Sequence, residues 1–317
     1  VADLLHGCRR VIVAPDGELN RIPFAVLVVA TSRAGDGDVL LSEREVVCVP
    51  SATALAFQRE RSRGATEPAG STAVWALAGI RGSANASLEG ARREVHWLRS
   101  RFAEVEIASP DDSSAALLAL RQLARCQVIH VAAHTRLDDQ HPWRSGILME
   151  GVAGGAEEYL RAERISGLRL HSRLAVLSGC ESGGGRVLSG EGVLGLTGAF
   201  IAAGVPAVVA TLWPVSDRAT VGLMRTFYEQ LARGETAASA LRHAQLAQRA
   251  RPETRHPFFW AGFMLVGDGD VRVRLARARP SMAWPAAGGA AFLLAVALVA
   301  GWRRRRGGAP GERNPVT

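Results

Sequence analysis

Over residues 1–270, short apolar runs alternate with longer amphipathic stretches. That rhythm predicts strands interleaved with helices. Val11–Ala14 and Val46–Val49 read as strands, the first closed by a turn at Pro15-Asp16-Gly17. Ser51 is placed to cap a helix running to about Arg61. Residues 62–71 (SRGATEPAGS) are rich in Gly, Pro and Ser and mark the best internal boundary. Beyond them, Val74–Ala78 and Val105–Ile107 read as strands. Between these, Leu88–Phe102 gathers Val95, Leu98 and Phe102 on one helical face. Ser113–Arg125 is a further Ala/Leu helix, and Val128–Ala133 and Leu174–Ser178 are apolar strands. The order then runs helix Gly192–Ala203, strand Ala207–Thr211, helices Ser216–Arg233 and Thr236–Ala250, and a closing strand Phe258–Val266. Strands alternating with helices predict an α/β fold, with a mostly parallel sheet covered on both faces. No repeat of fixed period is present.

The apolar pattern changes character at the C-terminus. Met282–Trp302 (MAWPAAGGAAFLLAVALVAGW) is 21 residues without a charge. As a helix it would be about 31 Å long, close to a bilayer core. Trp284 and Trp302 lie near its ends, and Arg303–Arg306 follow directly. It is expected to be a single membrane anchor, with 271–281 a basic linker before it and 303–317 a basic tail. The short segment after the span resembles a tail anchor that leaves the body in the cytoplasm. The chain opens on Val1 and runs almost at once into a strand, so it is expected to be the C-terminal part of a longer protein.

The composition is that of a folded globular protein, with 48% apolar and 21% charged residues in 317. The net charge of +8 invites a nucleic-acid reading. Its distribution argues against one. Nine of the 38 basic residues, all Arg, lie beyond residue 270, with Glu312 the single acid of the 30 there, so the body is neutral. No basic groove for nucleic acid is expected.

Chemistry is expected beyond the carboxyl ends of the strands. Two strands end in reactive residues: VIHVAAH (128–134) closes on His134, and LAVLSGCESGGG (174–185) leads into Cys180. If these strands are neighbours, His134 and Cys180 lie side by side. A His beside a Cys takes the thiol proton and yields a thiolate nucleophile, and the same His later protonates the leaving amine. The small residues around Cys180 let backbone N–H groups approach an oxyanion. The other cysteines, Cys8, Cys48 and Cys126, read as small buried apolar residues, and His130 as structural. His130 and His134 lack the helical spacing of a zinc pair. The glycines after Cys180 lack a GK[ST] sequence, and GxSxG is absent. No metal or cofactor is called for.

Several of these runs together carry a family resemblance. IHVAAH (129–134), LAVLSGCESGGG (174–185) and GEGVLGLTGAFIAAGVPAVVATLWPVSD (190–217) resemble a CHAT domain, of the caspase-like cysteine peptidases. ALRHAQ (240–245), HPFFWAGFMLVGD (256–268), VIVAPDGELNRIPFAVL (11–27) and VPSATAL (49–55) extend the resemblance over roughly residues 1–270. It implies a caspase-like three-layer αβα fold, with 1–61 as the N-terminal part and 72–270 as the catalytic part. It implies His134 and Cys180 as catalytic dyad, with the N–H groups of Thr135 and Cys180 as oxyanion donors. Members usually carry Gly where this chain has Thr135, a β-branched residue that narrows the backbone. Trp213 and Trp260 match recurrent positions and read as packing residues. Asp217 is open to two readings, a pocket for a basic P1 side chain or a helix cap, and Glu181 is a second substrate contact. The function implied is a membrane-anchored cysteine endopeptidase with a protein or peptide substrate, often preceded by sensor repeats. The alternative is an inactive scaffold that binds partners at a membrane.

Overall fold

The computed structural model describes residues 5, 7–28, 39–64, 72–78, 89–108, 123, 125–138, 140–149, 158–178 and 190–278. Its main sheet has eight strands: β1 (Arg10–Val13), β2 (Glu45–Cys48), β3 (Thr72–Ala78), β4 (Val105–Ile107), β5 (Cys126–Ala132), β9 (Leu174–Leu177), β10 (Ala207–Thr211) and β11 (Phe263–Gly267). They lie in the order β1-β2-β11-β10-β9-β5-β3-β4. The five strands from β10 to β4 run parallel. β11 runs against β10, and β2 and β1 follow the direction of β11. The fold is thus α/β with a mostly parallel sheet and one antiparallel junction. A second, antiparallel sheet is built from β6 (Thr135–Arg136), β7 (Gly146–Met149) and β8 (Glu158–Arg161).

Alternate residues of each central strand face opposite ways, and both faces are buried. Val74, Val128, Val176 and Val209 pack against Val95 and Leu98 of α3 (Glu89–Arg101), Leu223 and Phe227 of α6 (Asp217–Ala232), and Leu241 of α7 (Ala237–Arg249). Trp75, Ile129, Ala175 and Val208 pack against Ile165 of α4 (Ala162–Ser166) and Phe200 and Ala203 of α5 (Gly190–Ala203). This two-sided burial is why these strands read as continuous apolar runs. Two short N-terminal helices, α1 (Leu40–Glu43) and α2 (Ala52–Gly64), add Leu41 and Leu55 to the first face.

Local chemistry sets the helix starts. Ser51, Ser216 and Thr236 each accept from the backbone N–H three residues on, which satisfies a donor left open at a helix N-terminus. The C-terminal strand differs from expectation. Pro257–Phe259 form a 3-10 turn, and β11 begins only at Phe263. Pro257 starts that turn with φ already set, and His256 accepts from Phe258 N–H. β11 ends at Gly267, whose φ is +108°; a Cβ there would lie 2.2 Å from the Pro206 carbonyl oxygen. Only glycine fits.

The segment expected as a linker from residue 271 begins instead as part of the body, which forms one compact unit from Val1 to Ala278. Val271, Val273 and Leu275 are buried, whereas Arg272 and Arg274 between them are exposed. A period-2 pattern makes this an extended strap rather than a spacer. Ala237 N–H donates to Val271 O, and Arg274 N–H donates to Gln127 Oε1. The expected helix 113–125 lies, apart from Leu123 and Arg125, outside the described residues, as do the apolar run 282–302 and the tail 303–317. Among the described residues no helix is long and apolar enough to cross a membrane.

Candidate active site

β5 and β9 are neighbours. Val128 stands opposite Leu174 and Val131 opposite Leu177. One step further, Ser178 N–H donates to Val131 O at 2.9 Å. The two strands that lead to the expected dyad therefore end at one edge of the sheet, in register. His134 follows β5 by two residues and is half-buried. Its carbonyl accepts from Leu148 N–H at 2.8 Å, which ties it to the β6–β7 hairpin. Cys180 and Glu181 lie outside the described residues, which stop at Ser178 on this side.

Thr135 is buried and opens β6, an edge strand of the small sheet. It stands opposite Ile147. The Leu148-to-His134 bond fixes which positions of this ladder are hydrogen-bonded. That bond lies one step before the Thr135–Ile147 pair, so Thr135 and Ile147 form a non-hydrogen-bonded pair. The Thr135 N–H is thus directed away from β7. Its hydroxyl oxygen is buried with no hydrogen-bond partner among the described residues.

Asp217 is the first residue of α6, but Ser216 caps that helix. The Asp217 carboxylate instead accepts from Gly90 N–H at 3.1 Å, at the start of α3. A carboxylate there compensates the positive ends of two helices at once. Gly90 permits the approach, since a Cβ at that position would lie 2.5 Å from the Asp217 Cβ.

Beneath the sheet edge lies a polar cluster. His130 is fully buried on β5; its Nδ1 is 2.9 Å from the Tyr228 hydroxyl of α6. Its Nε2 is 3.1 Å from Glu94 Oε1 of α3 and 3.4 Å from Ser178 Oγ. The Glu94 approach is a close polar contact rather than an aligned hydrogen bond, because Oε1 makes none. Burial, with Glu94 nearby, pushes the Tyr228 phenol well above its usual range, so its O–H stays a donor. Sequence reasoning took His130 as structural and missed Glu94, Tyr228 and Ser178. One signal was present: Glu94 falls four residues before Leu98, on the apolar face of α3.

The remaining cysteines separate clearly. Cys48 and Cys126 are buried, and desolvation pushes both thiols up to about 11. Cys8, expected to be buried, is exposed, because it lies ahead of the first strand rather than within the core. Cys126 and His130 share β5 but stand four residues apart, roughly 13 Å along a strand, too far to act as a pair. Trp260 is buried and donates to Arg255 O. Trp213 stacks on Phe258 and donates to its carbonyl. Both are packing residues.

The chain matches the model of the CHAT domain over residues 1–268. It is 38% identical over 117 residues to tetratricopeptide repeat protein 28 of Mus musculus, and 37% identical to that of Homo sapiens. Each match covers 37% of this chain but only 5% of the relative. Among solved structures it is similar to separase in the Saccharomyces cerevisiae separase–securin complex. There the TM-score is 0.46 at 14% identity, over 71% of this chain and 14% of that one. It is also similar to the Arg-specific cysteine proteinase gingipain R, with a TM-score of 0.49 at 10% identity, over 74% of this chain and 56% of that one. With the family model matched from the first residue to the end of the last strand, the chain belongs to the CHAT domain family.

Proposed function

We propose that this CHAT domain is a cysteine endopeptidase anchored to a membrane by residues 282–302. The observation that carries the reading is the pairing of β5 with β9, whose ends lead to His134 and to Cys180. Cys180 follows Ser178, at the end of β9, by two residues in the chain. His134 takes the Cys180 thiol proton, and the thiolate attacks the scissile carbonyl carbon. The oxyanion is held by the N–H groups of Thr135 and Cys180. The tetrahedral species collapses, the C–N bond breaks, and His134 protonates the departing amine. Water, deprotonated by His134, then hydrolyses the thioester and restores the thiol. No cofactor enters these steps.

The substrate is a protein or peptide. One oxygen of Asp217 is engaged by Gly90, and the other is offered to a basic P1 side chain; Glu181 is the second candidate contact. An upstream repeat domain, of the kind named in the tetratricopeptide relatives, would present the substrate or the activating signal. In this reading the body belongs on the cytoplasmic side. Alkaline extraction tests the anchor: the full chain stays with the membrane pellet, and a chain ending at residue 281 leaves it. The catalytic reading is tested by Cys180→Ala and His134→Ala, each expected to abolish peptide cleavage with the circular dichroism spectrum unchanged. Full cleavage by either variant contradicts it. The alternative reading, an inactive scaffold, is favoured by Thr135 in place of the usual Gly, and predicts no cleavage by the wild type.

A further inference from the structure

We propose that His130, held between Glu94 and Tyr228, is a positioning residue that fixes the end of β9 through Ser178 and so sets the approach of Cys180 to His134. This inference rests on the cysteine-peptidase reading above.

The cluster has no role in the core that an apolar set would not fill better. Glu94, His130, Tyr228 and Ser178 are at most 8% exposed, and three of them are ionisable. Buried polar groups of this kind are costly unless they hold one another in a single arrangement. The arrangement joins both ring nitrogens. His130 Nδ1 is hydrogen-bonded to the Tyr228 hydroxyl, and Nε2 lies within 3.4 Å of both the Ser178 hydroxyl and the Glu94 carboxylate. Each partner comes from a different element: Glu94 from α3, His130 from β5, Ser178 from the end of β9, Tyr228 from α6. The Gly90–Asp217 bond ties the start of α3 to the start of α6, so the two helices that carry Glu94 and Tyr228 are braced as a pair.

The only member outside the regular elements is Ser178. It is the last described residue before the segment that bears Cys180. Its N–H is held by Val131 O and its side chain lies against His130. Both of its anchors are on β5, the strand that ends two residues before His134. Ser178 itself stands two residues before Cys180 in the chain.

The test uses the full 317-residue chain. Ser178→Ala, Tyr228→Phe, His130→Gln and His130→Leu are compared for kcat, KM, melting temperature and the rate of Cys180 alkylation by a peptidyl chloromethyl ketone. Ser178→Ala is expected to lower kcat and the alkylation rate about tenfold or more, as misplacement of a reacting group does. KM and melting temperature should hold, the latter within about 4 °C. His130→Gln keeps an N–H toward Ser178 and is expected to retain more activity than His130→Leu. Should both His130 variants fail to fold, Ser178→Ala and Tyr228→Phe still decide. Wild-type kcat in Ser178→Ala overturns the inference, and so does a fall in melting temperature with kcat per folded molecule unchanged. Cys180→Ala separates the two claims. If it abolishes activity while Ser178→Ala is normal, the positioning role alone falls; if it leaves activity intact, both readings fall.

Discussion

Thr135 faces Ile147 across β6 and β7 as a non-hydrogen-bonded pair, so its N–H is turned away from the hairpin. The donor wanted for an oxyanion is therefore outside the ladder, one residue after His134. In the proposed mechanism it is this backbone N–H, not the threonine side chain, that meets the oxyanion. Thr135→Pro removes the N–H without breaking a β6–β7 bond, since Pro is tolerated on an edge strand at such a position. We expect kcat to fall by about 10²–10³, with the fold retained. Thr135→Gly keeps the N–H and is expected to be at least as active as wild type. Stopped-flow or steady-state kcat measured with the melting temperature checks both; full turnover by Thr135→Pro removes Thr135 from the oxyanion hole.

The thiols should react in two classes. Cys48 and Cys126 are buried, with thiol pKa values pushed up to about 11 by desolvation. At pH 8 about 0.1% of each would be thiolate even with access to solvent. Native-state iodoacetamide labelling followed by peptide mapping is expected to modify exposed Cys8 and the candidate nucleophile Cys180. Modification of Cys48 or Cys126 at a comparable rate contradicts this burial.

Tyr228 makes a separate pH prediction. Tyr228 is fully buried, and its phenol is shifted upward. A group whose folded pKa is raised keeps its proton in the native state while the unfolded chain loses it. Stability from Tyr228 is thus complete below the unfolded value of about 10 and declines as pH rises above it. Ultraviolet titration of wild type against Tyr228→Phe at alkaline pH is expected to show the Tyr228 phenol ionising only with unfolding. Ionisation of Tyr228 in the native protein near the ordinary value would contradict it.

A glycine-to-alanine change in a helix usually gains up to about 1 kcal/mol. Gly90→Ala is expected to do the reverse, because its Cβ would lie 2.5 Å from Asp217. Asp217→Ala is expected to cost about 1 kcal/mol through the lost Gly90 bond. Alanine at 217 keeps the clashing Cβ, so the double variant that separates the effects is Gly90→Ala with Asp217→Gly: removing that Cβ should relieve the Gly90→Ala penalty. Additive losses in urea unfolding would show that the two residues do not interact.

Much of this fold is readable in the chain because the central strands are buried on both sides. VVAT at 208–211 and LAVL at 174–177 have no polar alternation to confuse them with amphipathic helices. Caps at Ser51, Ser216 and Thr236 carry their own chemistry and are legible one residue at a time. The strand order is not. Nothing local in β11 says that it runs against β10 while β2 then follows it, and the β5–β9 pairing enters the sequence reading only as a condition. The same limit hides the polar cluster: Glu94, His130, Ser178 and Tyr228 span 134 residues and meet only through the sheet and two helices. The 271–278 strap is missed for another reason. Its arginines dominate the composition, whereas its structure follows the buried Val271, Val273 and Leu275 between them.

The central claim is that His134 activates the Cys180 thiol. Labelling of the full chain with an irreversible thiol-directed peptidyl electrophile tests it most directly, comparing wild type, Cys180→Ala and His134→Ala. One label per wild-type molecule is expected, mapped to Cys180, with none in Cys180→Ala and labelling slowed at least about 10²-fold in His134→Ala. Equal labelling of wild type and Cys180→Ala would contradict it.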